Sequence, residues 1–79
     1  MSVVRWRLAQ FLETNHLTPY ALGKSIGGTR MNTVYRIARQ GEEPTRVDFL
    51  VLAAVLDGLR KLTGKEVQLS DILEYVPDA

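Results

Sequence analysis

The chain has 79 residues, a formal net charge of +1 and 46% hydrophobic residues, and it contains no cysteine. This length predicts one compact domain over residues 1–79, and the lack of cysteine excludes disulfides and thiolate metal sites. The longest apolar run, residues 49–56, is too short to cross a membrane, and the first ten residues do not resemble a secretory signal. We therefore expect a single cytoplasmic domain.

The first element predicted by the pattern is an amphipathic helix over residues 3–14. Its apolar residues recur at helical spacing, as Val4, Leu8, Phe11 and Leu12. Trp6 lies beside this stripe, where a tryptophan more often sits at the edge of a core than at an interface. Asn15 is expected to end the helix in a left-handed conformation, which its short side chain tolerates.

A second helix is predicted from Pro19 to about Ile26. Thr18 can cap its free amides, and proline at the first helical position loses no hydrogen bond. Gly23 inside this helix costs about 1 kcal/mol relative to alanine, a cost best tolerated where another backbone comes close. The Gly27-Gly28 pair is expected to end the helix.

A third helix is predicted from Thr29 or Met31 to about Arg39. Val34, Ile37 and Ala38 fall on its inward side, and the remaining residues form a polar surface rich in Arg, Asn, Thr and Tyr. Gly41 is expected to close the helix and to lead into a loop.

The fourth predicted helix covers residues 46–62, with Thr45 as its cap and Gly64 just past its end. Its expected buried face consists of Phe49, Leu52, Ala53, Leu56 and Leu59. A short fifth helix over residues 71–75, capped by Ser70, follows an extended loop at 65–69. Since a lone strand would have no partner, the sequence predicts an all-α fold of five helices.

The charges are unevenly distributed along the chain. Residues 1–41 hold six bases and one acid, for a charge of +5, whereas residues 42–79 hold four bases and eight acids, for −4. This asymmetry indicates one half that faces a polyanion and another half that faces solvent or a partner. Chance clustering in a short chain is the alternative interpretation.

The stretch from Leu17 to Gly41, LTPYALGKSIGGTRMNTVYRIARQG, resembles the helix-turn-helix of the lambda-repressor/Cro-like (XRE) family. The matching features are a leucine–small pair, a turn glycine, a threonine that opens the next helix, and the Thr-Val and Arg-Ile pairs. The resemblance covers residues 3–77 and implies a compact five-helix DNA-binding domain with its motif at about 18–39. The turn is one residue longer than usual, and Ala38 occupies the position of a glutamate that family members often bury against an arginine.

The resemblance also implies which residues contact DNA. Base edges would be read by Arg30, Asn32 and Arg36, although the longer turn leaves open which residue at 30–32 reaches deepest. Phosphates would be bound by Thr18, Tyr20, Thr29, Thr33, Tyr35, Arg39 and Arg46. For the arginines the alternative is a solvated helix face, and for the tyrosines it is a half-buried position in the core.

The expected function is therefore that of a sequence-specific DNA-binding transcriptional regulator of prokaryotic or phage type, associated with the nucleoid. The expected partner is double-stranded DNA, and family members commonly bind it as two-fold dimers. If this chain dimerises, the expected surface consists of the fourth and fifth helices and the residues near Leu69 to Val76. We expect no enzymatic activity, no cofactor, no metal and no membrane, because the sequence lacks a catalytic or ligating cluster. The alternative is an antitoxin-like or adaptor module whose acidic C-terminal half binds a protein.

Overall fold

The computed structural model describes residues 1–27 and 31–78. Two short strands and four α-helices follow one another in this part of the chain: β1 (Val3–Trp6), α1 (Leu8–Thr14), α2 (Pro19–Ser25), α3 (Met31–Ile37), α4 (Phe49–Thr63) and β2 (Leu73–Val76). A 3₁₀ turn, Leu69–Asp71, precedes β2. The architecture is mixed α/β, so the predicted all-α fold of five helices is wrong.

The two strands join the ends of the described chain in one antiparallel sheet. Their register runs from Val3 opposite Val76 to Trp6 opposite Leu73. Side chains alternate between the two faces of a strand. The pair Trp6–Leu73 and the pair Val4–Tyr75, two residues away along each strand, therefore lie on the same face of the sheet. This is the face that meets the core, since Trp6 is buried.

The sheet replaces parts of two predicted helices. Residues 3–6 belong to a strand and not to a helix over 3–14, and residues 73–76 form a strand where a fifth helix over 71–75 was expected. The β-branched and aromatic side chains of β1 favour a strand, but a strand of four residues is stable only with a partner. That partner lies at the other end of the sequence, where no local pattern connects it to β1.

The helix α1 buries Leu8 and Leu12 in the core. Both belong to the apolar stripe that the sequence predicts for the first helix. Asn15 caps this helix with φ −98°, and its side-chain amide donates to the Phe11 carbonyl at 2.8 Å. The left-handed residue is the next one, His16, with φ 57°. The expected left-handed stop is therefore displaced by one position.

The helix α2 begins as the sequence predicts. The Thr18 hydroxyl oxygen accepts a hydrogen bond from the Ala21 amide at 3.1 Å, and Pro19 is the first helical residue. The chain leaves the helix through Gly27 in a left-handed conformation, φ +94°. The following helix α3 buries Val34 and Ile37, as expected, and it ends at Ile37, two residues before the predicted end at about Arg39.

The helix α4 begins three residues later than predicted. The Asp48 carboxylate caps it by accepting from the Leu50 amide at 2.7 Å, and Gly64 ends it with φ +67°, as expected. Its buried face agrees only in part with the predicted one. Leu59 is buried as expected and Leu52 and Leu56 are half-buried against the core, but Phe49 and Ala53 are exposed, and Val51, Val55 and Gly58 are buried instead. An uninterrupted apolar run has no periodicity from which the inward face could be recognised.

One core connects the helices and the sheet. Its fully buried side chains come from five different parts of the chain and consist of Leu8, Leu22, Val34, Val55, Leu59 and Ile72. The indole Nε1 of Trp6 donates to the Ile37 carbonyl at 2.7 Å and so links β1 to the end of α3. Within residues 1–27 and 31–78, no helix has both the length and the apolar character needed to span a membrane.

Candidate nucleic-acid interface

One face of α3 is polar and exposed. Asn32, Tyr35 and Arg36 are spaced at i, i+3 and i+4, which places them on one side of the helix. Val34 and Ile37 lie on the other side and are buried. The buried residues therefore anchor the helix, while the polar side chains remain available to a ligand.

The two tyrosines among the predicted contacts lie outside the core. The exposed fraction is 55% for Tyr20 and 41% for Tyr35. Both phenol groups can therefore reach a ligand without any rearrangement of the core. Thr33 is half-buried at the border of the exposed face.

Thr18 is exposed at the start of α2, and its hydroxyl oxygen already accepts from the Ala21 amide. A hydroxyl group has one proton to donate as well as lone pairs to accept. Thr18 can therefore hold the helix end and still donate to a phosphate oxygen.

Arg39 lies two residues past the end of α3 and forms an exposed ion pair. Its Nη1 is 3.2 Å from Oε2 of Glu42, and both side chains are largely in solvent. Exposed pairs of this kind contribute about 0–1 kcal/mol, so a phosphate with more charge can displace the carboxylate.

The close approach of α2 and α3 is set at Gly23. A Cβ atom at this buried position would collide with the thioether of Met31. The neighbour at Gly23 is therefore a flexible side chain, and not the backbone that the sequence led us to expect.

Two of the predicted contact residues, Thr29 and Arg30, lie outside the described residues. Arg46 is exposed but precedes α4 by three residues, and the end of that helix is capped by Asp48. A role of Arg46 in phosphate binding therefore has no support from a free helix end.

Sequence reasoning missed the part that Trp6 plays in this interface. Its indole donates to the last carbonyl of α3, that of Ile37, and the ring is 6% exposed. Trp6 thus holds the C-terminal end of α3 in place from a strand. A lone tryptophan followed by a basic residue carries no sequence signal for such a long-range bond.

Most acids of the C-terminal half already have partners within the chain. The six that do are Glu42 with Arg39, Glu43 with the Gly41 amide, Asp48 and Asp71 as helix caps, Glu74 with Arg7, and Asp78 with the N-terminal amine. The other two, Asp57 and Glu66, line a shallow depression together with three bases, Arg60, Lys61 and Lys65. Positive charges of the same chain therefore oppose three of these carboxylates directly, those of Glu42, Glu74 and Asp78.

The described part of the chain contains no cluster of three His, Cys, Asp or Glu side chains that could hold a metal ion. Comparisons with protein-family models, with curated proteins and with solved structures find no match for this chain. The interpretation of the α3 face therefore depends on its geometry, its charge and the resemblance of its sequence motif.

Proposed function

We propose that this protein is a sequence-specific DNA-binding transcriptional regulator of prokaryotic or phage type that acts in the cytoplasm. The observation that supports this proposal best is the exposed face of α3, where Asn32 and Arg36 project from a helix anchored by Val34 and Ile37. The helix-turn-helix resemblance of residues 17–41 supports the same function. The major groove of B-DNA admits one α-helix.

The chemistry of these side chains suits base recognition. The Arg36 guanidinium can donate two hydrogen bonds to O6 and N7 of guanine, and the Asn32 amide can pair with N6 and N7 of adenine. Each such pair contributes about 1–3 kcal/mol of discrimination. Arg30 joins this set by its place in the sequence motif.

The neighbouring hydroxyl and basic groups would hold the phosphates. They lie at the start of α2, on α3 and after α3, and they comprise Thr18, Tyr20, Thr33, Tyr35 and Arg39. Thr29 joins them by its place in the sequence motif. Contacts of this kind fix the register of the protein on the duplex but carry no sequence information. Because few of them are cationic, we expect a shallow dependence of affinity on salt, with a slope near −0.9 per neutralised phosphate.

The test begins with selection of binding sites from a random pool of duplexes by the full chain. The selected site is then titrated with Arg36→Ala and with the matched control Arg60→Ala, which removes the same charge from the far end of α4. We expect Arg36→Ala to weaken binding by about 10- to 100-fold and to relax the preference at one position. Arg60→Ala should bind as the parent does.

A third variant separates charge from geometry. Arg36→Lys keeps the positive charge but loses the planar fork that makes two bonds to guanine. We expect it to lose selectivity nearly as Arg36→Ala does, while its salt dependence stays that of the parent. If no sequence is enriched, or if Arg36→Ala and Arg60→Ala weaken binding equally, specific readout by α3 is wrong.

The alternative function, an antitoxin-like or adaptor module, stays a prediction with less support. It depended on a free acidic surface in residues 42–79, and six of the eight acids there bind groups of the same chain. A stoichiometric protein partner that is released by neutralising Asp57 and Glu66, together with no binding to duplex DNA, would favour the alternative.

A further inference from the structure

The turn that follows α3 places two carboxylates beside one guanidinium. Oε2 of Glu42 lies 3.2 Å from Nη1 of Arg39, and Oε1 of Glu43 accepts a hydrogen bond from the Gly41 amide at 3.0 Å. Arg39 is the only base among the phosphate contacts proposed above that lie within the described residues. An acid of the same chain therefore already occupies the cation that is proposed to bind a phosphate.

The backbone of this turn keeps Glu42 close to Arg39. Gly41 has φ +88°, a left-handed conformation that glycine adopts without a steric cost. The hydrogen bond from its amide to the Glu43 carboxylate closes the turn on the other side of Glu42. Because a short tether gives a high effective concentration, the Glu42 carboxylate stays beside the guanidinium even when the two groups are not in contact.

The segment from residue 39 to residue 43 carries more negative than positive charge. It contains one base and two acids, which gives a charge of −1. The hydrogen bond from the Gly41 amide is the main reason that the pKa of the Glu43 carboxyl is lowered, so this group stays ionised at neutral pH. Charges act over about 8 Å at physiological ionic strength. A phosphate in contact with Arg39 therefore also meets the negative charge of Glu42.

We infer that Glu42 competes with the DNA backbone for Arg39 and thereby sets how strongly this protein holds phosphates. The inference rests on the proposed DNA binding and concerns the same surface. A phosphate that binds Arg39 must first replace the Glu42 carboxylate, so one ionic contact is exchanged for another. The net gain from Arg39 is therefore small, and the base contacts of Asn32 and Arg36 provide a larger share of the affinity.

This exchange predicts a particular salt dependence. A protein cation that neutralises a phosphate releases a condensed counterion, and each such contact steepens the slope of log K against log salt by about 0.9. The displaced Glu42 carboxylate stays tethered beside the phosphate, where its charge offsets the neutralisation by Arg39. Arg39 then releases almost no counterion. The salt dependence of the parent should therefore be shallower by about one contact than its bases alone would give.

A purely structural role of the Arg39–Glu42 pair predicts a different result. The two side chains are 63% and 69% exposed, and an exposed ion pair contributes little to stability. Substitution of Glu42 should therefore leave the fold as it is. If the pair only supported the turn, this substitution would leave DNA binding unchanged or weaken it, whereas competition predicts tighter binding.

The test titrates the full chain with the duplex that it selects from a random pool, at several salt concentrations. Glu42→Gln keeps the size of the side chain and removes its charge. We expect it to bind about 5- to 10-fold more tightly than the parent at about 0.1 M salt, with a slope that is steeper by about 0.9. The matched control is Glu66→Gln, which removes the same charge from an exposed acid beyond the end of α4. This control should bind as the parent does.

A second pair of variants tests whether Glu42 acts through Arg39. With Arg39→Gln in place there is no guanidinium to release, so the addition of Glu42→Gln should change the affinity by at most about twofold. An equal gain with and without Arg39 would mean that Glu42 only repels the duplex as a general charge, and it would overturn the inference.

The outcomes separate this inference from the proposed function. If the parent binds its selected duplex, and Glu42→Gln shows the affinity and the slope of the parent, the inference alone is wrong. If none of these proteins binds any duplex, the proposed function is wrong, and the inference is wrong with it.

Discussion

The helical pair α2–α3 and the sheet β1–β2 are built from different kinds of interaction. The pair is specified within about twenty residues of chain: Thr18 caps α2, Gly27 turns the chain, and Leu22 and Val34 fill the space between the helices. The sheet joins residues 3–6 to residues 73–76, so its pairing depends on everything between them. Local signals thus specify the helices, and the folded chain as a whole specifies the sheet.

The two regions also present different surfaces. The outer face of α3 is polar, with Asn32 and Arg36 exposed, whereas the sheet and the start of α4 expose Val4 and Phe49. A polar helical face suits a hydrated polyanion, whereas exposed apolar side chains suit another apolar surface.

The largest effect is expected from a substitution of Trp6, the residue that connects the sheet to the end of α3. Trp6→Ala removes a buried aromatic side chain of β1 and its bond to the Ile37 carbonyl. We expect a loss of about 3–5 kcal/mol in the free energy of unfolding. Because Trp6 is the single tryptophan, unfolding in urea should be followed by circular dichroism.

Trp6→Phe is the matched control, since it keeps an aromatic ring and removes the indole N–H. It leaves the Ile37 carbonyl without its donor, for an expected loss of about 1–3 kcal/mol. Amide exchange should quicken at the C-terminal end of α3 and stay unchanged in α1. Equal stability of Trp6→Phe and the parent would show that the bond does not connect the regions.

A smaller effect is expected where α4 packs against α2. A Cβ atom at Gly58 would lie 2.6 Å from Ser25 Oγ and 2.9 Å from Leu22 Cδ1, so Gly58→Ala overpacks a short and a fully buried side chain. Overpacking costs about 1–3 kcal/mol, against a gain of about 1 kcal/mol in helix propensity. We expect a lower melting temperature.

Gly23→Ala is the comparison for Gly58→Ala, because both glycines are buried in helices. At Gly23 the new methyl group meets only the Met31 thioether, which is unbranched and can turn aside. We expect no loss of thermal stability. A Gly23→Ala variant that melts below Gly58→Ala would show that the contact between α2 and α3 is the tighter one.

Removal of the N-terminal cap of α2 tests how much a local interaction contributes to the stability of the helical pair. Thr18→Ala removes the acceptor of the Ala21 amide and should cost about 1 kcal/mol. Thermal melting measures the loss, which corresponds to roughly 4–8 °C for a domain of this size. Thr18→Ser keeps the acceptor and serves as the control; a loss as large as that of alanine would exclude the cap as the cause.

The smallest effect concerns the turn between α3 and α4. Two backbone hydrogen bonds lower the pKa of the exposed Glu43 carboxyl. The larger effect comes from the Gly41 amide and the smaller one from the amide of Glu43 itself. The contribution of this carboxyl to stability is therefore complete above the unfolded pKa of about 4.3 and is lost as the pH falls through the lower folded pKa. The Gly41 amide chemical shift should titrate with a midpoint below the pKa of the same carboxyl in the unfolded chain. A midpoint at or above the unfolded value would contradict the bond.

The sequence predicts the helical pair well because its signals act over one or two helical turns. Thr18-Pro19, the turn glycine and the inward Val34 and Ile37 all match the structure. The same reasoning fails at residues 3–6, where the spacing of Val4 and Leu8 also fits a helix. It fails again in α4, where the residues from 49 to 56 are all apolar and Phe49 was predicted to be buried, although it is exposed.

For the candidate interface, the sequence by itself determined the chemistry: an Asn–Arg face beside a capped, proline-led helix. Only the tertiary structure decided that Tyr20 and Tyr35 lie outside the core, that Arg39 is paired with Glu42, and that Trp6 holds the end of α3. The physical reason is the distance along the sequence over which each kind of interaction acts. Caps, turns and helical periodicity depend on neighbours a few residues away, whereas strand pairing and burial depend on contacts between distant parts of the chain, which exist only once the core has formed.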